Sequence, residues 1–268
     1  MPTLKLLWLL SLIFSINLVG WAQVTPLPNA HAHNDYQHER PLLDALAHGF
    51  TSVEADILLI DGKLYVGHDR PEGSHSLPTL EEAYLEPLQQ RVTQQNGKVY
   101  AGYNGDFYLM LDFKTEAKST YNRLKEVLHP YQDMLSYTEN DTYHPGAVTI
   151  FLSGNRPIEQ VRQEPLRWVS IDGRPADLAQ GYSAEFMPVI SQHYRAVIDW
   201  DGKEPLSRKQ LKKLRKITRT AHQEGKKVRL WATPENALVW KTLLEAEVDL
   251  INTDKLAELQ QFLNQQNR

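Results

Sequence analysis

The chain has 268 residues and no cysteine, and 41% of its residues are hydrophobic and 23% charged. That composition belongs to a folded globular chain and excludes both a disulfide-built scaffold and a disordered tail. A net charge of −4 argues against the basic face that nucleic-acid binding requires, so no nucleic-acid partner is expected.

Residues 1–22 stand apart from the rest. Lys5 is their only charge, Leu6 to Val19 is almost wholly apolar, and Gly20-Trp21-Ala22 offers small residues where a signal peptidase cuts. This is read as a cleaved export signal, which predicts a periplasmic or extracellular protein with no stable membrane span. An uncleaved anchor is the competing reading, since the apolar run is near the lower limit for crossing a bilayer. Residues 23–268 then form one domain, a length that α/β barrels reach undivided.

From Pro28 onward, β-rich runs alternate with amphipathic segments, as in repeated βα units around a parallel sheet. A first strand, Pro28 to His33, opens the series, followed by a helix over Arg40 to His48 and Gly49 at its end. The second strand, Thr51 to Leu59, holds Glu54 and Asp56, two residues apart and so on one face. Asp61-Gly62 lies between Ile57-Leu58-Leu59-Ile60 and Lys63-Leu64-Tyr65-Val66 and signals a tight hairpin, which carries His68 back over the strand ends.

Next come a helix over Leu80 to Gln90, a strand over Phe107 to Lys114 with Asp112 and Lys114 on one face, and a helix over Glu116 to Leu128. Residues 129–146 give no clear pattern. Strands over Ala147 to Leu152 and Arg167 to Ile171 flank a helix over Pro157 to Gln163. Asp172, after the second of these, either joins a site or simply turns the chain at Asp172-Gly173.

A short helix over Ala176 to Gln180 and a sixth strand over Arg195 to Asp199 are predicted, with residues 181–193 unreadable between them. The long helix Pro205 to Glu224 contains a basic run, Arg208 to Lys216, read as its solvated side because Leu211, Leu214 and Ile217 share the opposite face. Gly225 leads into a strand over Lys226 to Ala232, in which Trp231 either lines a pocket or fills the core. Thr233 is expected to cap a helix over Glu235 to Glu245, with Pro234 in its first turn. A strand over Val248 to Asn252 and a helix over Lys255 to Asn264 complete eight of each. The expected fold is therefore a closed (β/α)₈ barrel.

In such a barrel the strand ends and the loops after them converge on one face. Acids on an inward face are costly unless a positive partner lies between them, and an all-oxygen set favours Mg²⁺ or Ca²⁺ over zinc. Glu54 and Asp56 alone could equally be a solvated edge strand. With His31-Ala32-His33-Asn34-Asp35-Tyr36 on one side and Val66-Gly67-His68-Asp69 on the other, two imidazoles can flank one cation. Phosphodiester cleavage uses such parts: a base for the attacking hydroxyl, an acid for the leaving oxygen and a cation for the phosphate.

These blocks resemble the superfamily of glycerophosphodiester phosphodiesterases and phosphatidylinositol-specific phospholipases C. The resemblance runs from His31 through Ala45, Gly49, Glu54 and Asp56, the block Asp61 to Asp69, Leu111-Asp112-Phe113-Lys114 and Leu230-Trp231-Ala232-Thr233 to Leu250-Ile251-Asn252-Thr253-Asp254. It implies a barrel phosphoric diester hydrolase acting on a small or lipid-derived diester, with a role in lipid metabolism. Glu54, Asp56 and Asp112 would be metal ligands, His31 and His68 the acid and base, and Lys114 a phosphate contact. Ala32 and His33 stand where glycerophosphodiester-cleaving relatives have Arg and Gly. The opening His-x-His-Asn-Asp-Tyr is more similar to a branch of altered-inheritance-of-mitochondria type proteins.

His31 and His33 share a strand face, so either can be the working imidazole, with His31 the first choice and Asn34 placed to orient it. Asp112 is a shorter arm than the usual Glu. The nucleophile is water or a substrate hydroxyl. Two other readings remain: a zinc-dependent barrel hydrolase of the polymerase-and-histidinol-phosphatase or amidohydrolase type, built on His31, His33 and His193, and a non-catalytic barrel that binds a phosphorylated ligand.

Overall fold

In the computed structural model, which describes residues 24–71 and 76–266, eight parallel strands close on themselves. They are β1 (Leu27–Ala32), β2 (Phe50–Ile60), β3 (Tyr108–Phe113), β4 (Thr149–Gly154), β5 (Val169–Gly173), β6 (Val189–His193), β7 (Lys227–Trp231) and β8 (Leu250–Thr253). Each pairs with its neighbour in chain order, and β1 pairs with both β2 and β8, which completes the predicted barrel. The export-signal reading concerns residues outside those described.

The period of two along each strand sorts side chains into two environments. On β2, Val53, Ala55 and Ile57 join the large core under the surrounding helices, which leaves Ser52, Glu54 and Asp56 facing the barrel axis. A second, smaller apolar cluster of Tyr108, Met110, Phe151, Val189 and Leu250 fills that axis. The Tyr108 and Phe151 rings meet edge to face at 5.8 Å. This plug leaves the polar inward residues, nearer the C-terminal strand ends, at the barrel mouth.

The hairpin forms as its turn chemistry requires. Asp61 and Gly62 both take positive φ, 47° and 77°, and the return strand Lys63–Val66 pairs antiparallel with Ile57 to Ile60. Gly67 N then donates to Asp56 O at 2.9 Å, bringing His68 beside the mouth.

Three expected elements differ. The sixth strand is Val189–His193, within the stretch that gave no pattern, while Arg195 falls in a one-turn helix, Tyr194–Val197. The His193 side chain accepts from Arg195 N and caps that turn, so Val197 and Ile198 pack in the outer core instead of pairing in the barrel. The segment expected as a helix over Ala176 to Gln180 is a 3₁₀ turn, Pro175–Asp177, so no α-helix separates β5 from β6. The helix Ala237–Glu245 is capped by Asn236, whose side chain accepts from Val239 N at 3.0 Å, and not by Thr233. The long basic helix, Arg208–Gln223, lies as predicted, with Leu214 buried and Leu211 and Ile217 packed against the core.

Candidate active site

Strand pairing sets the acids side by side. Asp56 of β2 is in register with Asp112 of β3, and Asp112 with Ser153 of β4. One oxygen from each of Glu54, Asp56 and Asp112 lies within 4.8 Å of the others, a spacing one cation can bridge. Asp56 Oδ2 is crowded by donors: His68 Nδ1 at 2.7 Å, Tyr36 OH at 2.9 Å and Lys114 Nζ at 3.2 Å. Asp56 Oδ1 and Asp112 Oδ1 are buried without any hydrogen-bond partner. Native proteins rarely leave buried carboxylate oxygens unsatisfied, so these residues fit a hard cation with oxygen ligands.

Electrostatics set Glu54 and Asp112 apart. Burial alone would raise the Glu54 pKa, but the Arg229 charge and the His31 contact outweigh it and hold the carboxyl well below its usual range. Asp112 goes the other way, raised by burial and by the charges of Glu54 and Asp56, against the pull of Lys114. Burial opposes the Lys114 charge, yet Asp112 and Asp56 prevail and raise its pKa, so the ammonium stays charged.

The two histidines of β1 and its exit part company. His31 is fully buried, with Nδ1 at 2.7 Å from Ser52 Oγ and Nε2 at 2.7 Å from Arg229 Nη1 and 3.2 Å from Glu54 Oε2. Burial and then the Arg229 charge push its pKa down to about 4, so at neutral pH it is an uncharged acceptor for that guanidinium. His33 leaves the strand where β1 ends and lines the cavity, with Nδ1 2.7 Å from Asp254 Oδ1. Burial works against its charge, but Asp254 and Glu54 together raise its pKa. Asn34, in the left-handed region at φ 47°, sets its amide 3.0 Å from His33 Nδ1 and accepts from Tyr36 OH at 3.3 Å.

A cavity of about 730 Å³ opens over these groups, lined by His33, Asn34, Glu54, His68, Asp112, Lys114 and Trp231 among others. Most residues singled out from the sequence therefore meet in one place. His68 is the most open of them, 58% exposed at its side chain, and it still reaches Asp56. Trp231 is half-buried on the cavity wall, its ring edge-on to His193 at 4.5 Å. His193 does not join the acids: among the described residues the group able to share an ion is Glu54, Asp56 and Asp112.

Residues 21–170 match the model of the AIM6-like phosphodiesterase domain, more than half of the chain. The chain belongs to this family. A second match, over residues 227–257, is to the glycerophosphoryl diester phosphodiesterase family. An altered inheritance of mitochondria protein 6 homolog from Arthroderma benhamiae is 31% identical over 86% of this chain and 82% of its own length. The altered inheritance of mitochondria protein 6 of Eremothecium gossypii is 29% identical over 89% of this chain and 70% of its own.

Two solved structures share the barrel. A glycerophosphodiester phosphodiesterase from Parabacteroides distasonis superposes with a TM-score of 0.58 at 17% identity, over 91% of this chain and all of the other. An Oleispira antarctica phosphodiesterase, solved with its product sn-glycerol-3-phosphate, gives 0.51 at 16% over 89% of this chain and 97% of the other. This AIM6-like chain thus carries a phosphodiesterase-like domain on a (β/α)₈ barrel.

Several site residues of this AIM6-like domain escaped the sequence. Arg229 of β7 is buried and reaches Glu54, His31, Asn252 and Ser191. Its only signal is a charge between Val228 and Leu230 on a parallel strand, where an inward cation needs a partner. Tyr36 stood in the opening block His31 to Tyr36, but with no role of its own. Asp172 is fully buried and does not line the cavity; its Oδ2 accepts from Ser153 Oγ at 2.8 Å and from Arg174 Nη1 at 2.7 Å. It fixes neighbours in addition to ending a strand.

Proposed function

We propose that this protein is a metal-dependent phosphoric diester hydrolase, exported from the cell by its first 22 residues. The observation that carries this reading is the approach of three carboxylates to within 4.8 Å of one another, two with unpaired buried oxygens, at a cavity that Glu54, Asp112, His33 and His68 line. Glu54, Asp56 and Asp112 would hold Mg²⁺ or Ca²⁺, which when bound neutralises phosphate charge and polarises its oxygens.

The chain's own residues supply the rest. Lys114, charged and beside Asp112, offers a donor to a phosphate oxygen. One cavity imidazole takes the proton of the attacking water or substrate hydroxyl, and the other returns a proton to the departing alcohol oxygen. With water, a diester thus becomes a monoester and an alcohol with no proton left over. Burial favours His33 over His31 as the partner of His68, because a group with both nitrogens engaged and no exposed surface cannot meet substrate. His31 is then a positioning residue that accepts from Arg229 and so holds the guanidinium that pairs with Glu54.

The Oleispira antarctica relative of this fold was solved with sn-glycerol-3-phosphate, which makes a glycerol-based diester a reasonable first substrate. No helix among the described residues is long and apolar enough to cross a membrane. The decisive experiment is hydrolysis of bis(p-nitrophenyl) phosphate by purified protein with Mg²⁺ or Ca²⁺, in wild type, His68→Ala and Glu54→Ala. Activity is expected only in wild type with metal. Persistent activity in both variants removes the mechanism, and ligand binding without turnover across a diester panel favours a binding protein. Cell fractionation checks the export.

A further inference from the structure

The wall of the cavity opposite His33 is built by groups the proposed chemistry leaves unused. Asp172 ends β5 fully buried, and its Oδ2 meets Arg174 Nη1 at 2.7 Å. The same Nη1 also reaches the carbonyl oxygens of Gly173 at 2.9 Å and Asp172 at 3.3 Å, while Arg174 Nη2 has only Ser153 Oγ at 3.4 Å. One edge of the guanidinium is therefore fixed by the protein. The other keeps most of its donors for something else, since an arginine carries five N–H groups.

A second guanidinium lies beside it. Arg156, from the loop after β4, donates through Nη1 to the carbonyl oxygen of Asp172. Burial, and next the charge of Arg174, lower the Arg156 pKa. Asp177 is the other acid nearby, and its Oδ2 is turned to Arg174 N at 2.7 Å. Two guanidiniums thus crowd around one buried residue: the Asp172 carboxylate serves Arg174 through a single oxygen, while Arg156 bonds only the main-chain carbonyl.

The position is what gives this pair meaning. Arg174 and Ser153 line the same cavity as Asp112 and Lys114, and Ser153 is the in-register neighbour of Asp112. Strands lie about 4.8 Å apart, so the Ser153 wall stands roughly one strand spacing from the acids. A single small molecule can span that distance.

We propose that Arg174, held by Asp172 and flanked by Arg156, binds a second anionic group of the substrate, so that the preferred diester carries a carboxylate or phosphate close to the phosphorus that is attacked. This rests on the phosphodiesterase reading above and adds a substrate class to it. Arginine presents a planar fork that matches such oxyanions, and a charge-assisted bond of this kind typically changes affinity by about tenfold or more.

The test is calorimetric binding of two product-like probes in Mg²⁺, glycerol 3-phosphate and 3-phosphoglycerate, which differ by one carboxylate. Wild type is expected to bind 3-phosphoglycerate about tenfold more tightly. In Arg174→Gln that ratio falls to near one, and Arg174→Lys recovers part of it. Because Arg174→Gln strands the buried Asp172 and can unfold the chain, Arg156→Gln serves as the second variant, with a smaller fall in the same ratio. Equal binding of the two probes by wild type overturns the inference and leaves the phosphodiesterase reading standing. A ratio unchanged in both folded variants overturns it as well, since a purely structural ion pair moves both affinities together. Failure of wild type to bind either probe sinks the phosphodiesterase reading and the inference with it.

Discussion

Arg229 Nη1 stands 2.8 Å from Glu54 Oε2 with both side chains almost wholly buried, an ion pair that ties β7 to β2 across the barrel. Removing one partner of such a pair leaves the other charged and desolvated, typically at a cost of about 3–5 kcal/mol. Arg229→Met is therefore expected to lose about that much stability in urea titrations. Magnesium is expected to return more stability to this variant than to wild type, because it restores a positive partner to Glu54. Equal stability of variant and wild type counts against a functional pair.

A cation held by the three acids binds the folded chain and not the unfolded one, so it must raise stability. At a hundred times its dissociation constant the gain is about 2.7 kcal/mol. Thermal unfolding with Mg²⁺, Ca²⁺ and a chelator should show an upward shift in wild type that chelator removes. Asp56→Asn and Asp112→Asn each take away an oxygen now buried without a partner, and each is expected to lose the shift. A shift that survives in both variants places any cation elsewhere.

The legible part of the site is the part governed by short-range rules. Glu54 and Asp56 share a face because strands alternate, and Asp61-Gly62 returns His68 because both turn residues tolerate positive φ. Which of His31 and His33 reaches the cavity was not legible. Both occupy one face, and what separates them is the end of β1 at Ala32, after which His33 N donates to Thr253 O and its side chain turns to the cavity. Arg229 and Arg174 depend on contacts across 198 and 21 positions of sequence, to His31 and Ser153, which no local pattern encodes. The sixth strand failed for a related reason: Ala196-Val197-Ile198 is as β-rich as Val189-Ile190-Ser191, and pairing with both neighbours, Val189 opposite Lys227 of β7 and Asp172 of β5, selects the earlier run.

Gly154 links backbone conformation to the acids. Its φ is +65°, and a Cβ there would lie 2.1 Å from Asp112 Oδ1 and 2.5 Å from Phe113 O. Gly154→Ala must therefore strain the backbone and push the Asp112 carboxylate aside. The expected loss is about 1–3 kcal/mol, together with a weaker Mg²⁺ shift. Gly62→Ala is the control, since φ is +77° there and nothing lies within 4 Å of a Cβ. It should cost only the backbone term and keep the full Mg²⁺ response. Identical Mg²⁺ responses in the two variants would separate Gly154 from the placement of Asp112.

Asp35 gives the chain a pH dependence independent of the acids at the mouth. Its carboxyl is fully buried; Oδ2 accepts from Leu42 N at 2.5 Å and Tyr84 OH at 2.8 Å, and Oδ1 has no partner. Burial is the larger effect and pushes its pKa up to about 6, against the opposing pull of those two bonds. Unfolded, the group titrates near 3.9. Below about pH 4 both states hold the proton and the contribution is fully present. Between about pH 4 and 6 only the folded state keeps it, so the unfolded state binds fewer protons and stability falls as pH rises, levelling off above the folded pKa. The loss by pH 7 is roughly 3 kcal/mol. Asp35→Asn keeps an oxygen for Leu42 and Tyr84 but does not ionise, so its stability relative to wild type should improve by about that amount between pH 4 and pH 7. Urea titrations at the two pH values measure the difference directly, and parallel behaviour of the two proteins would show that Asp35 titrates normally in the folded chain.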